Sequence, residues 1–310
     1  MRLERPPVFS AFLDRAARLG PLPHEYAFGG WLTGMALWLL WVAGPAEVHS
    51  LAFSVFALLS LALIAWCQRQ PTPLRWRLRL LWYPSVMGLS FYALPGAIKV
   101  LGRPDADALL SAADQGLLGR PAAEVLQAIA SPGLTDLLTL CYLFFFVVLV
   151  FGPGHYCLRD LASFRACIVG LFVLYAVGFA GYVALPAGGP FRTLTQLPTL
   201  PTGAVAQFMH PFIVGGSNGV DVFPSIHFAA SLYLLSFDWW HYRRRFWLWL
   251  APIVLLWVST VYLRYHYLVD LIAGLPVAGL GLWVMHRYRR SELAGRAEAD
   301  MFVARPSPQG

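Results

Sequence analysis

Apolar stretches recur along nearly the whole 310-residue chain, at about 26–43, 50–66, 82–100, 134–152, 166–185, 226–240, 246–263 and 268–287. A helix perpendicular to a bilayer needs about 20 apolar residues to cross its hydrocarbon core. Some of these stretches are shorter, so their ends are expected to reach into the adjoining loops. With 58% hydrophobic and 13% charged residues and a mean hydropathy of +0.59, the chain is far from the roughly 45–50% and 25% of soluble domains. That excludes a soluble protein with one anchor, a disordered chain and a nucleic-acid binder. The fold class is all-α, a polytopic membrane helical bundle of about eight spans.

The net charge of +7 comes from Arg and a single lysine, Lys99. When loops are assigned to alternating sides, 18 cations fall on one side and 5 on the other: Lys99, Arg103, Arg120, Arg192 and Arg264. By the positive-inside rule both termini are then cytoplasmic in a plasma (inner) membrane, and an odd span count would scramble the segregation. The first 25 residues read as a cytosolic amphipathic lead-in without a cleavable leader, and the last twenty as a polar, partly disordered tail. Cys67, Cys141, Cys157 and Cys167 have no metal or disulfide spacing and read as packing residues.

Two outer connections are long. Gly102–Pro132 carries Asp105, Asp107, Asp114 and Glu124 among apolar residues at helical spacing, the pattern of an amphipathic interfacial helix. The other, Pro186–Val222, is rich in Pro, Gly and Thr and holds Arg192.

Ionisable groups at membrane depth default to a functional reading, and here they gather on the outer side. His266 and Asp270 are four apart at the start of the last span, so a carboxylate can fix the tautomer of an imidazole and leave its other nitrogen basic. The same pair also reads as a capped helix end with an interfacial histidine. Pro224-Ser225-Ile226-His227 follows a Gly-rich loop into the next span, where first-turn N–H groups suit phosphate oxygens or simply begin a helix. Arg192 and Arg264 fit either an anion site or ordinary snorkelling.

Together, Phe223-Pro-Ser-Ile-His227 and Ser259-x6-His266-Tyr-Leu-Val-Asp270-Leu-Ile-Ala-Gly274 resemble the second and third motifs of the type 2 phosphatidic acid phosphatase superfamily. With the segment ending in Arg192, they look most like its inositol-phosphorylceramide-synthase-like (inositolphosphotransferase) branch. The resemblance implies a lead-in with two extra spans at 1–81, a six-span catalytic core at 82–290 and a cytoplasmic tail at 291–310. It also implies metal-independent lipid phosphotransferase or phosphatase chemistry. By the same resemblance His266 is expected to form a phosphohistidine, Asp270 to orient it, His227 to protonate the leaving alcohol and Ser225 to hold phosphate oxygens. The third motif usually has Arg where Thr260 stands, and Gly is common at Arg264. Thr260 and Arg264 are expected to share a helical face so that Arg264 supplies the cation. Lys99 is expected to compensate for a lysine missing before Arg192.

The expected substrate is a phospholipid or polyprenyl phosphate, and the acceptor a lipid or glycan alcohol, with water as the alternative. A transporter or channel lined by these ionisable groups is a further class, as is a metal enzyme using His227, His266 and Asp270. No cofactor, metal, nucleic acid or protein partner is called for.

Overall fold

The computed structural model describes residues 20–303, with side chains to residue 293. The expected lead-in over 1–19 and the tail from 304 lie outside the described residues. The helices are α1 (Pro23–Ala43), α2 (Val48–Arg69), α3 (Pro73–Val100), α4 (Asp107–Leu118), α5 (Ala122–Gln127) and α6 (Pro132–Arg159). They continue with α7 (Leu161–Ala184), α8 (Pro190–Thr193), α9 (Ala204–Gly216), α10 (Ile226–His241), α11 (Arg243–Tyr262) and α12 (Leu268–Val303). Helix α12 therefore carries residues 291–303 of the expected tail. The four cysteines are buried and free, as packing residues should be.

Local chemistry sets the helix starts. Thr72, Ser131, Asp160 and Ser225 each accept a first-turn N–H, and proline occupies the first turn of α1, α3 and α6, where its missing donor costs nothing. Six helices are long and apolar enough to cross a membrane: α1, α2, α6, α7, α11 and Leu268–Leu293 of α12. The chain is thus a multi-pass membrane protein. The two other expected spans are the charged α3 and the 16-residue α10, and both pack within the bundle.

Helix α7 is the axis, buried along most of its length against α1, α10 and α12. Its backbone packs closely on that of α12, where a Cβ on Gly170 would lie 2.5 Å from Gly281 O and one on Gly281 2.8 Å from Gly170 O. Without a hydrophobic driving force between helices in lipid, such close backbone packing is a main source of association.

The interfacial helix expected over 102–132 is present as α4 and α5, but its polarity is turned round. Asp107 and Asp114 are buried, while Leu109, Leu117 and Leu118 are exposed by about half or more (60%, 49% and 51%). The two acids are seven apart and share a face, and backbone donors draw that face inward. The second connection, rich in Pro, Gly and Thr, contains α9. The Asp136 carboxylate accepts the N–H groups of Val205 (3.3 Å) and Ala206 (2.8 Å) at its start.

Candidate active site

Arg264 ends α11 by adopting the left-handed conformation, φ 64°. The reversal sends the N–H groups of both Tyr265 and His266 back to Thr260 O at 2.9 Å. Glycine usually occupies such a helix-terminating position because it has no Cβ to strain. The turn presents His266 to the bundle interior just before α12 begins.

Two carboxylates from α4 hold the surrounding loops. Asp114 accepts the N–H groups of Leu268 (2.6 Å), Val269 (3.2 Å) and Ala122 (3.1 Å), capping α12 from outside. Asp107 accepts Gly188 N–H and Gly189 N–H, each at 2.8 Å, and the Tyr267 hydroxyl at 3.0 Å. Gly189 has φ 104°, and a Cβ there would meet Tyr265 O at 2.8 Å, so only glycine fits without strain where this loop crosses the His266 turn. On the far side, Pro95 lacks an N–H and leaves Phe91 O without its helical donor. The Asn218 amide fills that place at 2.7 Å, tying the Gly-rich loop to α3.

The histidines meet inside this frame. His266 Nε2 lies 3.1 Å from His227 Nδ1, and His227 Nε2 lies 3.1 Å from the Tyr142 hydroxyl. On the other flank His266 Nδ1 is 3.4 Å from Asp270 Oδ2, which also accepts Tyr267 N–H at 2.7 Å. Asp270, His266, His227 and Tyr142 thus form one line from the base of α12 to α6. His266 Nδ1 and Asp270 Oδ1 are buried without a hydrogen-bond partner, so the carboxylate steers the ring chiefly by charge. Such a line can hold a proton at one imidazole and a nucleophilic nitrogen at the other.

The pair opens on a cavity of about 440 Å³ between α3, α6, α7, α9 and α10. Its walls are largely aromatic and aliphatic, and none of the lining residues is Arg or Lys. Asp221, which the motif reading passed over as a site residue, lines it and accepts from Ser217 Oγ at 2.8 Å. Burial raises the Asp221 carboxyl above the usual range, with Ser217 acting in the opposite sense.

The remaining expected site residues are dispersed. Arg192 is exposed at the cavity mouth, its guanidinium against Gly188 and donating to Gly219 O at 3.3 Å. Arg264 does not line the cavity: Nη2 donates to Gln127 Oε1 and Pro198 O, both at 2.6 Å. Its positive φ takes it off the helix, so the helical face expected to be shared with Thr260 does not exist. Thr260 is fully buried, its hydroxyl donating to Trp257 O at 2.8 Å, and it contributes its carbonyl to the His266 turn. Ser225 is buried too. Its hydroxyl caps Phe228 N–H and its own N–H donates to Asp270 O at 3.0 Å, which leaves Ile226 and His227 as the cavity-lining residues of that first turn. Lys99 is exposed on α3 and absent from the cavity wall. Among the described residues, no group of three or more His, Cys, Asp and Glu side chains is disposed to hold a metal ion.

A sequence profile of the PAP2 superfamily matches residues 109–284, which contain every residue of the histidine line. The chain is also similar to the lipid A 4′-phosphatase of Bacteroides thetaiotaomicron, 33% identical over 109 residues that make up 33% of this chain and 46% of the relative. The match therefore spans about half the relative's length. No solved structure matches the chain.

Proposed function

The chain belongs to the PAP2 superfamily, and from that premise we propose that it is a membrane enzyme that cleaves a lipid phosphate ester through a phosphohistidine on His266. The observation that carries the reading is the line Asp270–His266–His227 at the wall of a largely apolar cavity. Nε2 of His266 attacks phosphorus as the ester P–O bond breaks, and His227 Nδ1 gives its proton to the departing alkoxide. The acceptor hydroxyl then loses its proton to His227 and attacks phosphorus, releasing His266. Asp270 favours the cationic form of His266 as the P–N bond develops. The two nitrogens now touch each other, so a substrate phosphoryl group must part them. Arg192 and the first-turn N–H groups of Ile226 and His227 are the donors we assign to its oxygens.

The substrate class is a phospholipid or polyprenyl phosphate, drawn into the cavity by its chain. Transfer to a lipid or glycan alcohol, as in the inositol-phosphorylceramide-synthase-like branch, is favoured by walls that exclude water. Hydrolysis is favoured by the likeness to a lipid A 4′-phosphatase. We assign the site end of the bundle to the extracytoplasmic face of the inner membrane, with both termini cytoplasmic, because the cations concentrate at the opposite end. Every site residue lies in the 82–290 core, to which α1 and α2 are an addition, and the mechanism needs no metal.

The test is to incubate the purified protein with chelator and a membrane lipid extract, following free phosphate and new lipid masses against His266→Ala. Phosphate release marks hydrolysis, and new lipids with a moved headgroup mark transfer. No difference between wild type and His266→Ala would refute the nucleophile.

A further inference from the structure

The cavity that holds the histidine pair has a charge balance unsuited to a simple phosphomonoester. Such a group carries nearly two negative charges, yet no Arg or Lys lines the walls and a carboxylate, Asp221, does. Asp221 is 9% exposed, has no basic side chain within ion-pair distance among the described residues, and accepts only Ser217 Oγ among side-chain donors. Around the same end of the bundle, Asp107, Asp114 and Asp270 are also buried, and their hydrogen bonds come from backbone N–H groups and a tyrosine hydroxyl. The nearest cation, Arg192, sits at the mouth and is partly engaged by Gly219 O. A buried carboxylate without a counter-charge is costly, and a ligand cation relieves that cost.

The surroundings of Asp221 suit one kind of cation. Tyr142 from α6 and Tyr182 from α7 line the same cavity as Asp221, with Tyr175 and Phe179 also on α7. Aromatic faces with a carboxylate are the recurrent receptor for an organic ammonium group. His266 lines the same cavity as Asp221, so the carboxylate and the phosphate-reacting nitrogen belong to one compartment.

We propose that the cavity takes a zwitterionic phosphodiester lipid, with its alkylammonium headgroup on Asp221 between Tyr142 and Tyr182 and its phosphate at His266. The diester brings one negative charge instead of nearly two, and its ammonium cancels that charge, so the ligand enters a cation-poor site as a neutral whole. The inference rests on reading His266 as the phosphate pole and adds the headgroup that stands next to it.

Binding and turnover are measured separately with three probes: fluorescent phosphatidylethanolamine, its N-acetyl derivative without the ammonium, and phosphatidic acid. In detergent micelles, the His266→Ala protein is expected to bind phosphatidylethanolamine at least tenfold more tightly than the N-acetyl lipid. Adding Asp221→Asn, which keeps an oxygen for Ser217, should reduce that ratio to near one without weakening phosphatidic acid. Equal binding of the two diesters, or a preference that survives Asp221→Asn, overturns the proposal. Should the Asp221 variant fail to fold, the ratio in the His266→Ala background decides alone. Turnover of any probe that is the same in wild type and His266→Ala would refute the catalytic reading. Turnover confined to phosphatidic acid, with no ammonium preference in binding, would refute the headgroup assignment and leave the catalytic reading intact.

Discussion

The two ends of the bundle satisfy their buried carboxylates in opposite ways. At the end away from the site each is joined to an arginine: Glu25 to Arg79, Asp238 to Arg245, and the half-buried Glu292 to Arg165. At the site end, the buried Asp107 and Asp114 and the half-buried Asp136 accept backbone N–H groups from loops and helix starts, and none has an arginine partner among the described residues. An ion pair between helices fixes the helices and leaves loops alone. A carboxylate that collects backbone donors fixes a loop, and that is how the segment 186–190 is held against the His266 turn.

The largest expected effect separates chemistry from stability. His266→Ala should lower turnover by at least about a thousandfold, roughly 4 kcal/mol in barrier, with little change in thermal unfolding, because no ion pair of the first kind is lost. Arg245→Ala should do the reverse. It leaves Asp238 buried with only the Tyr156 hydroxyl (2.8 Å) and should cost about 3–5 kcal/mol of stability in a detergent melt. Retained stability there would erase the contrast between the ends. Asp114→Ala is intermediate: losing a cap on α12 should cost about 1–2 kcal/mol and also reduce turnover as the His266 turn loosens, which a paired kinetic and melting assay would register. Lys99→Ala should leave both readouts unchanged, since the side chain is exposed and outside the cavity. A fall in phosphate-ester affinity in that variant would restore the lysine to the site.

Sequence reading located the spanning helices through their apolar runs, and three members of the histidine line through spacing, because His266 and Asp270 belong to one local segment and His227 to a short motif; Tyr142, on α6, joins them only in the folded bundle. The cation set was not legible in the same way. Arg264 and Thr260 are four apart, yet the expected helical relation fails where φ of Arg264 turns positive, and an arginine does not announce such a position as a glycine or asparagine does. Asp107 and Asp114 fit the polar face of a surface helix equally well. Their burial depends on backbone donors that arrive from residues 188–189 and 268–269, far along the chain. Asp221 sat in view beside the Pro-Ser-Ile-His run, and only the cavity wall showed that it shares a compartment with His266.

What the amino-acid sequence determined by itself is therefore what local periodicity and hydrophobicity can encode: a multi-pass helical bundle and the two segments that carry His227 and His266. The tertiary structure alone decided which charges face the cavity, which are consumed by loop backbone and which are neutralised between helices. A carboxylate has the same covalent structure in all three settings. Its role is set by the donors that packing brings within about 3 Å, the range over which a hydrogen bond or ion pair forms.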